Sequence, residues 1–233
     1  MLTLALETSG HAGSIALLEA GQLRTEIELA ATGRRHARTL VPEIGSLLKT
    51  HGLSPRQIDL LAVSIGPGSF TGLRVGIVCA KTFAYATGCS LVGVDTFLAL
   101  AAAQPEADHV WVIEDALRGD ICAGEYCCRE GQWTTLRPPR LLSLEAWQQQ
   151  IAPGTAVTGP GLRQFADALG RFQLVDSRYW LPSAREIALR GEVMWQQGEK
   201  ADPWTLEPFY MRRSAAEEKA DAAIGNPPGH GYC

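Results

Sequence analysis

The chain has 233 residues, of which 46% are hydrophobic and 20% are charged, the composition of an ordinary globular protein. Its length allows one large domain or two small ones, either with a substantial core. The formal net charge of -4 lacks the excess positive charge that is typical of proteins that bind nucleic acid by themselves. The apolar run at 2–6 is too short for a secretory signal or a membrane-spanning helix, so we expect a cytoplasmic protein without membrane contact.

The N-terminal half begins with strands and continues with alternating helices and strands. Three apolar segments joined by glycine-containing turns predict a three-stranded meander, and an amphipathic helix follows them. The predicted elements are strands at 2–6, 14–18 and 23–29, a helix at 36–51, a strand at 59–65, a helix at 72–87, a strand at 91–94 and a helix at 95–104.

The C-terminal half repeats this order of elements. Its Gly159-Pro160-Gly161 turn, which follows a short strand, echoes the Gly66-Pro67-Gly68 turn of the first half. The predicted elements are strands at 110–114, 121–128 and 133–142, a helix at 143–151, a strand at 156–158, a helix at 162–169, a strand at 172–175 and a helix at 183–197. We therefore expect two α/β subdomains, at 1–104 and 105–213, and a flexible tail at 214–233.

A glycine-rich segment, GPGSFTGLRVG at 66–76, joins a predicted strand to the next helix. Backbone N–H groups at such a turn point outward at a helix N-terminus, where an anion is favoured. The spacing fits neither a P-loop nor a dinucleotide loop, since Thr71 stands where both need glycine. Either nucleotide contact or a tight structural turn explains the segment. The candidate residues for contact with a nucleotide or a partner are Gly66, Pro67, Gly68, Ser69, Phe70, Thr71, Gly72, Leu73 and Arg74.

Small residues recur at every fourth position of the helix that follows this segment. They are Gly72, Gly76, Ala80, Ala84 and Gly88, and their spacing lays them along one helix face. An internal glycine weakens a helix by about 1 kcal/mol relative to alanine. Two internal glycines are therefore expected only where they allow another element to pack closely. Close approach of a partner helix and close packing on the chain's own sheet explain the pattern equally well.

Several segments, in the same order along the chain, carry a family resemblance. They are LALETS at 4–9, RH at 35–36 with LVP at 40–42, GPGSFTGLRVG at 66–76 with AK at 80–81, LVGVDT at 91–96 and PFYMRR at 208–213. These segments resemble the bacterial TsaB (YeaZ) family, accessory subunits of the machinery that makes threonylcarbamoyladenosine in tRNA. Glu7 replaces the family's usual aspartate, and Met211 replaces a leucine.

The resemblance implies both a fold and a function. The fold is α/β, the duplicated actin/sugar-kinase/Hsp70-like (ASKHA) fold, with two subdomains of mixed sheets flanked by helices. The function is that of a non-catalytic scaffold that binds and supports the TsaD-type threonylcarbamoyltransferase and helps to recruit the TsaE-type ATPase. The modified nucleoside is adenosine 37 in tRNAs that read codons starting with A.

The resemblance also implies how the complex is assembled. Helices of the first subdomain form both a homodimer and the heterodimer with TsaD, which favours the partner explanation of the small-residue face. The helix–helix interface is therefore assigned to Gly72, Gly76, Ala80, Ala84, His36 and Leu40. The tRNA is contacted only through the complex. The chain has no cofactor of its own, and ATP or ADP binds at the complex interface.

Residues for catalysis are missing at positions where related proteins carry them. TsaD binds its metal partly through a His-x-x-x-His pair, and Thr96 and Leu100 stand at the matching positions here. Leucine cannot ligate a metal. The chain also has no H-E-x-x-H motif and no Ser or Cys in a recognised nucleophile context, so the related label glycoprotease (M22) finds no support. We predict no catalytic residue and no metal ligand.

Two predicted turns carry carboxylates, Glu7 in the first half and Glu114 with Asp115 in the second. These carboxylates could organise Mg²⁺ through water or cap N–H groups within their own turns, and we favour the capping role. The alternative function is that of a stand-alone small-molecule kinase or nucleotide-binding protein of the ASKHA fold. Such a kinase would need a fuller set of phosphate loops and a catalytic carboxylate.

Overall fold

The computed structural model describes residues 1–29 and 36–211, without the side chains of 36–38. All the elements predicted for the N-terminal half are present. They are β1 (Leu2–Glu7), β2 (Ser14–Glu19), β3 (Gln22–Glu28), α1 (His36–Thr50), β4 (Leu60–Gly66), α2 (Phe70–Thr87), β5 (Ser90–Asp95) and α3 (Thr96–Ala103). Helix α2 begins two residues before its predicted start, because the Ser69 hydroxyl caps it by accepting from the N–H of Gly72.

The C-terminal half contains a second set of the same elements. They are β6 (His109–Asp115), β7 (Asp120–Arg129), β8 (Gln132–Ser143), α4 (Leu144–Gln150), β9 (Ala156–Thr158), α5 (Leu162–Phe165), β10 (Gln173–Leu174) and α6 (Ala184–Gln196). The helix predicted at 162–169 divides into α5 and a 3-10 turn at Ala166–Leu169. Strand β10 is shorter than predicted. The tail at 214–233 lies outside the described residues.

Both halves form a five-stranded mixed sheet with the same strand order. The first sheet runs β3-β2-β1-β4-β5, and the second, taken in the same sense, runs β8-β7-β6-β9-β10. In each sheet the first two strands pair antiparallel, and the first strand also pairs parallel with the strand after the first helix. This repetition confirms the duplicated ASKHA architecture.

Alternate residues of the first sheet face two different layers of helices. Leu4 and Leu6 of β1 share a buried cluster with Ile44 of α1 and with residues of α2. Ala5, which lies between them in sequence, packs on the other face with Ile187 of α6. Successive side chains of a strand point to opposite faces, so a continuous apolar strand such as β1 is buried on both sides.

Helix α6 follows the second half in sequence but packs against the first sheet. A Cβ on Gly191 would lie 2.6 Å from the Cβ of Ala62, so only glycine allows the helix to approach β4 this closely. The Thr3 hydroxyl of β1 donates a 2.6 Å hydrogen bond to the Glu192 carboxylate. Conversely, α3 packs against β6 and β7 of the second sheet. The two halves are therefore interlocked through α3 and α6.

Residues 199–211, called the strap below, return from α6 to the first sheet. The N–H groups of Ala201 and Phe209 each donate a 2.7 Å hydrogen bond, to carbonyl oxygens of β5 and β4. Lys81 of α2 donates to two further carbonyl oxygens of the strap. The strap therefore ends beside the N-terminal end of α2. Among the described residues, no helix is long and apolar enough to cross a membrane.

Candidate functional site

The glycine loop, residues 66–69, packs against the turn that follows β1. The Ser69 N–H donates a 2.8 Å hydrogen bond to the Ser9 carbonyl oxygen, and the Gly72 N–H donates to the Ser69 hydroxyl. Gly68 has φ of +155°, and a Cβ there would lie 2.5 Å from the Cβ of Ser9, so the position requires glycine. Two N–H groups at the start of α2 are therefore already engaged within the chain.

The nine residues predicted to contact a nucleotide or a partner differ in exposure. Gly66, Pro67, Gly72 and Leu73 are buried, Gly68 and Phe70 are half-buried, and Ser69, Thr71 and Arg74 are exposed. The buried members hold the turn and the core together. Only the half-buried and exposed members can be reached by another molecule, and nucleotide contact at these residues stays a prediction.

Phe70, Arg74 and Tyr210 form a cluster, called the aromatic clamp below, where the strap meets α2. The rings of Phe70 and Tyr210 stack with their centroids 4.5 Å apart. The guanidinium carbon of Arg74 lies 4.2 Å from the centroid of the Phe70 ring. Its Nε also donates a 2.8 Å hydrogen bond to the Tyr210 hydroxyl. Stacking and hydrogen bonding together fix the direction of this arginine side chain.

The small-residue face of α2 points into its own subdomain. A Cβ on Gly72 would overlap the carbonyl oxygen of Thr8, and a Cβ on Gly76 would overlap the Thr8 hydroxyl. Ala80 and Ala84 are buried in the core cluster of the first sheet. The prediction that these four residues contact a partner helix is therefore wrong, because the first sheet and the turn after β1 occupy the space that such a helix would need.

An apolar groove of about 550 Å³ lies between α1 and α2 on the surface of the first half. It is lined by Leu40, Val41 and Ile44 of α1 and by Arg74, Val75, Val78, Cys79, Thr82, Phe83 and Ala86 of α2. Val41 is 64% exposed and Val78 is 63% exposed. Contiguous exposed apolar surface of this kind is typical of sites that bind a protein or another apolar ligand.

The sequence carries a signal for this groove that the small-residue pattern obscures. Positions 75, 78, 79, 82, 83 and 86 of α2 recur at spacings of three and four residues, which defines a second stripe beside the buried one. Leu40, one of the predicted interface residues, is buried and lines the groove from the side of α1. The side chain of His36 lies outside the described residues, so its contact stays a prediction.

A pair of exposed aromatic residues, Tyr85 and Trp204, extends the groove onto the strap and is called the aromatic shelf below. Tyr85 is 72% exposed and Trp204 is 74% exposed, and their rings meet edge to face with centroids 5.3 Å apart. A recess of about 350 Å³ beside them shares Val78 and Thr82 with the groove. Large aromatic residues at such exposure are the usual anchors of protein–protein contacts.

Two of the turn carboxylates, Glu7 and Asp115, accept hydrogen bonds within their own turns. One oxygen of Glu7 accepts three hydrogen bonds. The donors are the N–H and the hydroxyl of Ser9, each at 2.5 Å, and the N–H of Gly10 at 3.0 Å. Burial raises the pKa of Glu7. Burial, and then the charges of Glu7 and Asp115, raise the pKa of Glu114 to about 7. Among residues 1–29 and 36–211, no three His, Cys, Asp or Glu side chains are grouped as a metal site requires.

Comparison with known proteins places these features in a family. The profile of TsaD, tRNA N6-adenosine threonylcarbamoyltransferase, matches residues 28–159. The tRNA threonylcarbamoyladenosine biosynthesis protein TsaB of Escherichia coli is 30% identical over 229 residues, which cover 94% of this chain and 98% of that protein. The chain belongs to the TsaB (YeaZ) family. The TsaB of Bacillus subtilis is 28% identical over 228 residues, which cover 94% of this chain and 97% of that protein.

A solved structure supports the same assignment to the TsaB (YeaZ) family. YeaZ from Pseudomonas aeruginosa superposes with a TM-score of 0.76 at 25% identity, over 90% of this chain and 99% of that one. By contrast, the tRNA N6-adenosine threonylcarbamoyltransferase of Moorella thermoacetica is 42% identical over only 65 residues, 28% of this chain and 19% of the enzyme. The match to this enzyme and to the TsaD profile therefore covers only part of the chain, whereas the match to the TsaB proteins spans almost all of it.

The two positions that the resemblance matches to a His-x-x-x-His pair lie in α3. Thr96 is the first residue of α3, and Leu100 lies one turn later. Leu100 is buried in the cluster with Val110 and Val112 of the second sheet. Leucine supplies no lone pair for a metal, and here its side chain fills a packing position between α3 and β6.

Proposed function

We propose that this chain is a non-catalytic subunit of tRNA threonylcarbamoyladenosine biosynthesis that binds and supports a TsaD-type threonylcarbamoyltransferase. The observation that carries the proposal is the apolar groove between α1 and α2, continued by the aromatic shelf. Val41, Val78, Tyr85 and Trp204 each expose more than half of their surface there. Covering them with a partner would remove this apolar surface from water, which stabilises a complex by about 25 cal/mol for each Å² buried.

Two features favour the role of an accessory subunit over that of an enzyme. Leu100 stands where a metal-binding imidazole would be needed, and one of the two carboxylate oxygens of Glu7 already accepts three hydrogen bonds within its own turn. The alternative, a small-molecule kinase of the ASKHA fold, is not favoured, because the relatives that span nearly the whole chain are TsaB proteins. The chain then acts in the cytoplasm, where tRNA is modified.

The remaining parts of the proposal concern the other components of the complex. A second copy of the chain competes with the TsaD-type subunit for the same groove, and the TsaE-type ATPase joins the assembled pair. ATP or ADP binds at the interface of the complex, where a partner adds contacts to a helix start at which two N–H groups are already engaged by Ser9 and Ser69. The net charge of -4 agrees with contact to tRNA only through the complex.

Binding and activity measurements with the same organism's TsaD-type protein test the proposal. The purified chain should transfer no threonylcarbamoyl group and turn over no ATP by itself, whereas its addition should raise the activity of the TsaD-type and TsaE-type proteins together. Val78→Asp places a charge in the groove and should weaken binding of the TsaD-type protein at least about tenfold.

Val193→Asp is the matched control, because Val193 is an exposed valine on α6, away from the groove. It should leave the affinity unchanged, and neither variant should lower the melting temperature by more than a few degrees. Equal affinities for Val78→Asp and the original chain would show that the partner binds elsewhere. Transfer activity or ATP turnover by the chain alone would refute its non-catalytic role.

A further inference from the structure

The groove between α1 and α2 contains one charged residue among the ten that line it. That residue is Arg74, in the second turn of α2, and the other nine are uncharged. A cation stabilises the C-terminal end of a helix rather than the end where Arg74 lies, so helix stability does not account for it. Arg74 also makes no ion pair with any carboxylate among residues 1–29 and 36–211.

Arg74 is held in place before any partner arrives. Its Nε donates to the Tyr210 hydroxyl, and its guanidinium group stacks over the Phe70 ring at 4.2 Å. The two terminal nitrogens have no hydrogen-bond partner in the described part of the chain. A planar guanidinium presents these nitrogens as a fork that matches a carboxylate. Because the side chain is already ordered, binding costs less conformational entropy than it would for a freely rotating arginine.

A second copy of the chain would not complement this arrangement. Its groove would present the same ten lining residues, none of which carries a negative charge. Arg74 of each copy would then lose water against apolar side chains or against the other arginine, and an unpaired buried charge is costly. A different protein with a carboxylate at this end of an apolar surface would instead gain a charge-assisted, two-pronged contact.

We infer that Arg74 is a specificity determinant, which favours a partner protein with an Asp or Glu side chain at this end of the groove over a second copy of the chain. The inference rests on the proposed function, since it takes the TsaD-type protein as that partner. Tyr210 acts as a positioning residue, because its hydroxyl holds the Arg74 side chain in the orientation that the carboxylate requires.

Three substitutions in the full chain test the inference, with two affinities measured for each. Arg74→Gln should weaken binding of the TsaD-type protein about 10- to 100-fold, the range expected for the loss of hydrogen bonds to a charged group. The dissociation constant of the homodimer, measured by sedimentation, should stay unchanged or decrease. Arg74→Lys should recover only part of the lost affinity, because lysine keeps the charge but not the fork. Tyr210→Phe should have an intermediate effect.

The melting temperature should change little in all three variants, since Arg74 is exposed and the Phe70–Tyr210 stack is retained. If Arg74→Gln weakens the homodimer and the heterodimer equally, or weakens neither of them, the inference is overturned. ATP binding to the isolated chain that Arg74→Gln abolishes would also overturn it, because Arg74 would then be a phosphate ligand. If Val78→Asp leaves the affinity for the TsaD-type protein intact, the proposed docking surface itself fails. If Val78→Asp weakens binding of the TsaD-type protein and Arg74→Gln does not, the docking surface stands and only the inference about Arg74 is rejected.

Discussion

Gly68 of the glycine loop and Ser9 of the turn after β1 lie in direct contact, with no space for a side chain between them. A Cβ on Gly68 would lie 2.5 Å from the Ser9 Cβ and 2.7 Å from its carbonyl oxygen. The same carbonyl oxygen accepts the hydrogen bond from the N–H of Ser69. This contact joins the ends of β1 and β4 to the start of α2, so the conformation of the loop serves the packing of the first half before it serves any ligand.

Replacement of Gly68 by alanine should therefore destabilise the fold itself. Gly52→Ala is the control, because Gly52 also has a positive φ but no atom within 4 Å of the position of a Cβ. The left-handed backbone costs about 1 kcal/mol in the control, whereas Gly68→Ala should lose about 1–3 kcal/mol more, from the collision with Ser9 and from its φ of +155°. Urea unfolding of both variants measures the difference. Equal losses would mean that the contact with Ser9 relaxes easily and does not by itself require glycine at position 68.

A second pair of glycines tests which way the small-residue face of α2 points. Gly76→Ala should destabilise the chain by about 1–3 kcal/mol at every protein concentration, because the added Cβ would overlap the Thr8 hydroxyl. Gly45→Ala, on the exposed face of α1, has nothing within 4 Å and should stabilise the chain by about 0.5–1 kcal/mol through helix propensity.

Thermal unfolding at two protein concentrations separates the two explanations of the small-residue face. A fall in melting temperature for Gly76→Ala that disappears as the protein is diluted would point to a partner helix at this face. A fall that is independent of concentration agrees with packing of Gly76 on the first sheet, as the contact with Thr8 requires.

The sequence predicted the order of the elements because their signals are local. Apolar periodicity and glycine turns mark β1 to β3, and Ser143 marks the start of α4, where its hydroxyl accepts from the N–H of Ala146. The direction of the small-residue face could not be obtained in this way. A stripe of glycine and alanine suits a sheet or a helix as a neighbour, and the choice depends on Thr8, which long-range pairing of β1 with β4 brings to α2.

The strap shows the same limit for a segment without periodicity. Residues 199–211 contain no regular helix or strand, so no local pattern predicts their course. Their position follows from long-range bonds, such as that from the Phe209 N–H to the carbonyl oxygen of Ile65. The aromatic clamp and the aromatic shelf each pair a residue of the strap with a residue of α2, and therefore become visible only in the folded chain.

Glu114 should make the stability of the chain depend on pH. Burial, and then nearby negative charge, raise its pKa from 4.5 to about 7, so the folded chain binds this proton more tightly than the unfolded chain does. The resulting stability is complete below pH 4.5 and is lost as the pH rises through 7, by up to about 3 kcal/mol. Glu114→Gln should remove this loss and unfold at higher urea concentration than the original chain at pH 8.

The exposed Glu145 of α4 provides the control for this titration. Glu145→Gln should keep the pH dependence of the original chain, with urea midpoints compared at pH 5 and pH 8. If Glu114→Gln loses as much stability between these two values as the original chain does, then other groups cause the pH dependence.

Asp95 connects the two halves of the chain, and its removal should cost more than the loss of an ordinary helix cap. Its carboxylate accepts hydrogen bonds from the N–H groups of Phe97 and Leu98 at the start of α3, and also from the hydroxyl of the buried Tyr126 on β7. Loss of a cap typically costs about 1 kcal/mol, and a buried hydroxyl left without a partner adds about 1–3 kcal/mol. Asp95→Ala should therefore lower the free energy of unfolding by about 2–4 kcal/mol.

Ser143→Ala is the matched control for Asp95→Ala, because the Ser143 hydroxyl also caps a helix, at the start of α4, but from an exposed position. It should cost about 1 kcal/mol. The variant Tyr126→Phe removes only the hydrogen bond from the Tyr126 hydroxyl to Asp95. The double variant should lose less free energy of unfolding than the sum of the two single variants, since both changes remove the same contact. Equal losses for Asp95→Ala and Ser143→Ala, together with strict additivity of the double variant, would show that the Asp95–Tyr126 bond contributes nothing to holding α3 on the second sheet.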